Sequence, residues 1–90
     1  MKAKPYSDYL LCKPIPQEKI GAFLIPETAK EKIRQATVVE VGPGNGDYTM
    51  ESKPGYLIMH NDARAIKLTV NGEEMIIIRE QDCFLRLEAE

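Results

Sequence analysis

The stretch Ala65-Ile66-Lys67-Leu68-Thr69-Val70-Asn71-Gly72-Glu73-Glu74-Met75-Ile76-Ile77-Ile78 decides the class of fold. Ile66, Leu68 and Val70 alternate with polar neighbours, the period of two that places successive side chains on opposite faces of a strand. Asn71-Gly72 follows at once. Both residue types tolerate the positive φ that a type I′ turn demands at its two central positions. Met75 to Ile78 then supply the return strand, so the stretch reads as a β-hairpin.

Working outward, the same pattern recurs. Tyr9-Leu10-Leu11-Cys12 is a short apolar run stopped by Pro14 and Pro16. Ala36-Thr37-Val38-Val39-Glu40-Val41 is β-branched and bounded by Gly42-Pro43-Gly44. Tyr56-Leu57-Ile58-Met59 follows the turn dipeptide Pro54-Gly55. Cys83-Phe84-Leu85-Arg86-Leu87 puts Cys83, Leu85 and Leu87 on one face and Phe84 on the other. Six strands joined by Gly, Pro and Asn turns predict an all-β domain, a small barrel or sandwich. Glu27 to Gln35 has helix-forming composition, but only Ala29 and Ile33 share a face. A helix there is short and weakly amphipathic, and the segment reads as mobile loop with room for a helical turn.

Ninety residues make one small domain, burying roughly 60–65% of its unfolded surface. No apolar run approaches the ~18 residues of a membrane span, and Met1-Lys2-Ala3-Lys4-Pro5 lacks the apolar core of a signal peptide. These features predict a soluble, cytoplasmic protein. A net charge of −2 argues against nucleic acid, whose phosphates call for a basic face.

Residues that could carry chemistry are sparse. Cys12 and Cys83 are too few for a disulfide framework and sit in apolar strands, where cysteine acts as a small hydrophobe. His60 has no Cys or His near it in sequence. Glu73 and Glu74 follow the hairpin turn and point to opposite faces, so they form no acid–base pair. Asp62 and Asp82, beside turn positions, read as caps of backbone amides. Gly42-Pro43-Gly44-Asn45-Gly46 looks like a phosphate loop but has no following helix and no Gly-Lys-Ser/Thr. It reads as a turn. No catalytic constellation, metal site or cofactor site is visible.

Two features point to partners instead. Gly21-Ala22-Phe23-Leu24-Ile25-Pro26 carries three large apolar side chains between a glycine and a proline, in charged surroundings. It suits docking into another protein, where each such side chain is worth roughly 1.5–3 kcal/mol. A core strand ended by Pro26 is the competing reading. The terminal strands are apolar on both faces, Leu10 and Leu11 in the first and Phe84 against Leu85 and Leu87 in the last. Edge strands of that kind are hazards unless covered. Either neighbouring subunits pair them in a closed ring, or the two termini pair within one subunit.

The order of these features resembles the GroES, or chaperonin-10, family of co-chaperonins along essentially the whole chain. Lys4 to Lys13, with Pro5 and Asp8, is similar to the family's N-terminal strand. Gly21 to Pro26 resembles its mobile-loop tripeptide, and Gln35 to Gly42 its most recognisable strand. Asn71-Gly72-Glu73-Glu74 and Glu80-Gln81-Asp82 complete the pattern. The resemblance implies one co-chaperonin domain over residues 1–90, with a mobile loop at about 17–32 and a roof connection at about 43–54. It implies a non-enzymatic, sevenfold ring that caps a large GroEL-like chaperonin ring charged with ATP and encloses unfolded client protein.

On this reading Gly21, Ala22, Phe23, Leu24, Ile25 and Pro26 bind the chaperonin, and nucleotide belongs to the partner. Tyr9, Leu10, Leu11, Phe84, Leu85 and Leu87 form the subunit interface, and Asn45, Asp47 and Glu51 stand in the roof. The chain departs from the family in its bulky Phe23 and in the shortened connection from Pro43 to Pro54. Such divergence suits specialised clients, as in a virally encoded member acting in its host's cytoplasm. The rival expectation, a small β-barrel module binding peptide or nucleic acid, calls for a basic or aromatic-rich face, against two Phe, four Tyr and no Trp.

Overall fold

Every stretch that alternates in the sequence is a strand in the computed structural model, which describes residues 3–15 and 33–88. The strands are β1 (Tyr9–Pro14), β2 (Ile33–Val41), β3 (Leu57–Asn61), β4 (Ile66–Val70), β5 (Glu73–Arg79) and β6 (Cys83–Leu87). All pairings are antiparallel, in the order β4-β5-β1-β2-β3-β6. Single 3₁₀ turns at Asp62–Arg64 and Glu80–Asp82 link β3 to β4 and β5 to β6. The all-β barrel expected from the sequence is the observed fold.

The period of two builds the core directly. Leu10 and Cys12 of β1, Ala36 and Val38 of β2, Ile58 of β3, and Ile76 and Ile78 of β5 all face inward, joined by Tyr56. Register brings them together: Leu10 lies opposite Ile78, Cys12 opposite Ile76 and Ala36 opposite Ile58. The β4–β5 turn has Asn71 at φ 50° and Gly72 at φ 83°, the positive pair that a type I′ turn requires.

β1 ends at Pro14, as the sequence suggests, and the ladder shows how the proline is accommodated there. The Ile15 N–H donates to the Gln35 carbonyl of β2 at 3.1 Å. Successive N–H groups alternate sides, so the missing donor of Pro14 faces β5, whose pairing with β1 has already ended at Cys12. No ladder bond is lost. At the other end, Ile33, Arg34 and Gln35 belong to β2 and pair with Asn61, His60 and Met59. The loop reading of 27–35 is corrected for those three residues.

A larger correction concerns the terminal strands. The first strand is interior, held between β5 and β2, and Leu10 and Leu11 are buried within the protomer at 0% and 3% exposure. Neither keeps appreciable side-chain surface, so the exposed apolar edge on which their expected interface role rested is absent. Tyr9 remains half-buried, with the Arg79 guanidinium 6.0 Å from its ring centre. The edges are β4 and β6.

His60 is buried in β3, opposite Arg34 and Cys83. Neither ring nitrogen has a hydrogen-bond partner among the described residues. Burial holds its pKa below the ordinary value, against weaker upward pulls from the Asn61 backbone and Asp62. The unfolded chain therefore takes up a proton near pH 6.5 that the folded chain refuses. Stability is full above pH 6.5 and falls as the pH drops below it, by at most about 1.4 kcal/mol per pH unit. Because this is the single histidine, urea unfolding between pH 7.5 and 5.5 isolates the effect. His60→Leu is expected to abolish the slope over that range, and an unchanged slope refutes the assignment.

Candidate functional site

Strand β2 organises the molecule's two ends. Its start, Ile33, and the end of β1, Pro14, bound the segment 16–32. These strands are adjacent, and the Ile15–Gln35 hydrogen bond holds them together where the segment begins. The tripeptide Phe23-Leu24-Ile25, its flanking Gly21, Ala22 and Pro26, and the expected loop from 17 to 32 lie outside the described residues. At the far end of β2, Val41 leads into the connection 43–54. Nine residues of strand separate the two ends, about 26 Å at ~3.3 Å per residue.

Gly42 opens that connection under tight constraint. A Cβ there would collide with the Ser7 carbonyl oxygen, while the Gly42 and Gly44 amides donate to the Tyr9 and Ser7 carbonyls at 3.0 and 2.9 Å. The Gly-Pro-Gly run serves to pass the chain across the N-terminal segment. Asn45 and Tyr48 then exchange backbone hydrogen bonds of 3.2 and 2.9 Å around Gly46-Asp47, forming a minimal hairpin tip. Asn45, Asp47 and Glu51 are all exposed. The Arg86 guanidinium of β6 reaches Glu51 Oε2 at 3.2 Å. The connection returns through Lys53-Pro54-Gly55-Tyr56, where the Tyr56 amide donates to the Lys53 carbonyl at 3.1 Å.

The edge strand β6 presents Phe84, Leu85 and Leu87 at 60%, 52% and 40% exposure. Only β3 pairs with it among the described strands. Apolar side chains on both faces of an unpaired edge are what the sequence reading assigned to an interface, and the geometry leaves all three accessible.

Two carboxylates that entered the sequence reading only through the family resemblance are buried. Asp8 is buried and accepts from Arg79 Nε at 3.2 Å and Nη2 at 3.1 Å, with Gln81 Nε2 at 3.3 Å. Its pKa lies below the usual value, chiefly because of the Arg79 hydrogen bonds. Glu80 is buried too, among donors from the 43–54 connection. A charged residue among polar neighbours gives no local sign of burial, so the sequence did not show that either is enclosed. The expected Asp62 cap is also off by one residue: Asn61 Oδ1 accepts from the Ala63 amide at 3.0 Å, while Asp62 lies 3.9 Å from Arg34 Nε.

Burial pushes the Cys83 thiol up to about 12 and Cys12 higher still, far from the thiolate a nucleophile needs. No cluster of three metal-ligating side chains occurs among the described residues, and none of their helices is long and apolar enough to cross a membrane.

Comparison with known proteins gives a consistent picture. The family model described as "Chaperonin 10 Kd subunit" matches residues 2–86. The co-chaperonin GroES of Rhodothermus marinus is 38% identical over 96 residues, covering 100% of this chain and 96% of that protein. That of Chloroherpeton thalassium is 37% identical over 91 residues, covering 93% and 96%. That of Bacteroides fragilis is 38% identical over 84 residues, covering 91% and 93%.

Proposed function

The chain belongs to the chaperonin 10 Kd subunit family, and from that premise we propose that it is a co-chaperonin whose ring caps a nucleotide-loaded, GroEL-like chaperonin and encloses client protein for folding. The observation that supports this reading is that the strand ends bounding the undescribed residues 16–32 lie at one end of β2, while the 43–54 connection follows its other end. Residues 16–32 leave and rejoin the barrel at one end, and the short 43–54 connection caps the other. That polarity suits a lid, with attachment below and closure above. Phe23, Leu24 and Ile25 insert into the partner's apolar groove, with Gly21, Ala22 and Pro26 shaping the approach. Each contact is weak, but linked copies bind together.

Ring assembly uses the exposed β6 edge, Phe84, Leu85 and Leu87, against the next subunit, with Tyr9 the one residue of the expected first-strand set that retains surface. Seven subunits is the number the family resemblance implies. Nucleotide binding and hydrolysis reside in the partner. The deciding experiment sizes the protein alone and then with a chaperonin ring and ADP or ATP. A ring-sized free species that co-elutes only with nucleotide supports the proposal, and a monomer indifferent to the chaperonin overturns it.

The shortened connection also bears on the lid's shape. Its hairpin tip is only Asn45 to Tyr48, and repeated Asp47 and Glu51 carboxylates near a symmetry axis repel one another. A density map of the assembled ring is expected to show an axial opening. A dome sealed by residues 43–54 refutes this.

A further inference from the structure

Glu80 sits in the single turn between β5 and β6, yet its side chain is spent on a different part of the chain. Its Oε1 accepts from the Tyr48 hydroxyl at 2.9 Å and the Glu51 amide at 3.0 Å. Its Oε2 accepts from the Ser52 amide at 2.7 Å and, more weakly, the Glu51 amide at 3.3 Å. The donors lie 28 to 32 residues away in sequence. Only 9% of the residue is exposed, so a carboxylate that normally costs several kcal/mol to bury is fully hydrogen-bonded here.

From this geometry we propose that Glu80 is a positioning residue that clasps the 43–54 connection to its own barrel and thereby limits how far the tip around Gly46-Asp47 can reach. Three observations converge on it. The clasp has a fixed foundation, because the Glu80 amide donates to the Asp8 carbonyl at 2.9 Å while the Asp8 side chain is held by neighbouring Arg79 and Gln81. It has a second strap, the Arg86–Glu51 ion pair at 3.2 Å. It also holds a stretch of backbone outside any strand: among the described residues the Glu51 and Ser52 amides have no backbone acceptor and donate to Glu80 instead. Consistently, burial and then the bond to Glu80 push the Tyr48 phenol up to about 12. Burial alone pushes Glu80 up, yet its hydrogen bonds from Ser52, Glu51 and Tyr48 outweigh that and hold it below the usual range.

The consequence differs from that of a short loop alone. Length sets the greatest possible excursion of the connection, whereas the clasp sets the one adopted. Describing the segment as a roof rests on the co-chaperonin reading. The clasp itself does not, and its test needs no chaperonin.

Amide hydrogen exchange followed residue by residue is that test. Glu80→Gln keeps the side chain's size but offers one acceptor oxygen where two served, and turns an NH₂ toward backbone donors. Exchange at Glu51 and Ser52 is expected to rise at least tenfold, with core amides of Ile58, Ile76 and Ile78 unchanged within twofold. Tyr48→Phe, which leaves the carboxylate in place and should fold even if Glu80→Gln does not, is expected to raise exchange at Glu51 and Ser52 a few-fold. Unchanged exchange at both amides in either variant overturns the proposal. So does a uniform rise that includes the core, because Glu80 then merely stabilises the barrel. Failure of the wild-type protein to bind a chaperonin, with the expected local rise in exchange observed in the variants, would instead count against the co-chaperonin reading and leave the clasp standing.

Discussion

Leu24→Asp is expected to leave subunit folding and ring size intact and to abolish capture by a nucleotide-loaded chaperonin. The wild-type side chain gains roughly 1.5–3 kcal/mol on entering an apolar groove, and a carboxylate placed there loses that and adds a desolvation cost. Multivalency turns a modest loss into a decisive one. If each of seven loops lost only ~1 kcal/mol, the assembly would lose ~7 kcal/mol, about 10⁵ in affinity. Size-exclusion chromatography with the chaperonin and nucleotide, beside circular dichroism of the variant alone, checks it. A variant that no longer folds would return the tripeptide to the core, the competing reading of the sequence.

The second large effect contrasts two lysines. Leu10→Lys is expected to yield no folded subunit. Leu10 is fully buried among Cys12, Val38 and Ile78, and an unpaired ammonium there costs several kcal/mol. The whole stability of a small domain is only about 5–15 kcal/mol. Phe84→Lys is expected to do the reverse, keeping the barrel and losing the ring, because Phe84 is 60% exposed on the unpaired edge β6. Sedimentation velocity and far-ultraviolet circular dichroism distinguish the cases. A folded Leu10→Lys subunit would contradict the interior placement of β1, and an intact Phe84→Lys ring would remove β6 from the proposed interface. In sequence both residues belong to apolar terminal strands, and only their place in the sheet separates the outcomes.

The six strands, the Asn71-Gly72 turn and the burial of Cys12 were legible before any coordinates. Each depends on neighbours in sequence: a period of two, or a pair of residues that tolerates positive φ. The family was legible for a related reason, since short local motifs kept their order along the whole chain. The tertiary structure alone decided which strands meet. It put β1 in the middle of the sheet and left β6 at its edge, which moved Leu10 and Leu11 from a presumed interface into the protomer. It alone revealed that Asp8 meets Arg79 across 71 residues, and that Glu80 meets Tyr48, Glu51 and Ser52. Strand order and buried ion pairs arise from contacts between distant parts of the chain. An isolated acidic residue looks the same in sequence whether water or four hydrogen bonds will surround it, because the donors that offset its burial are brought to it only by folding.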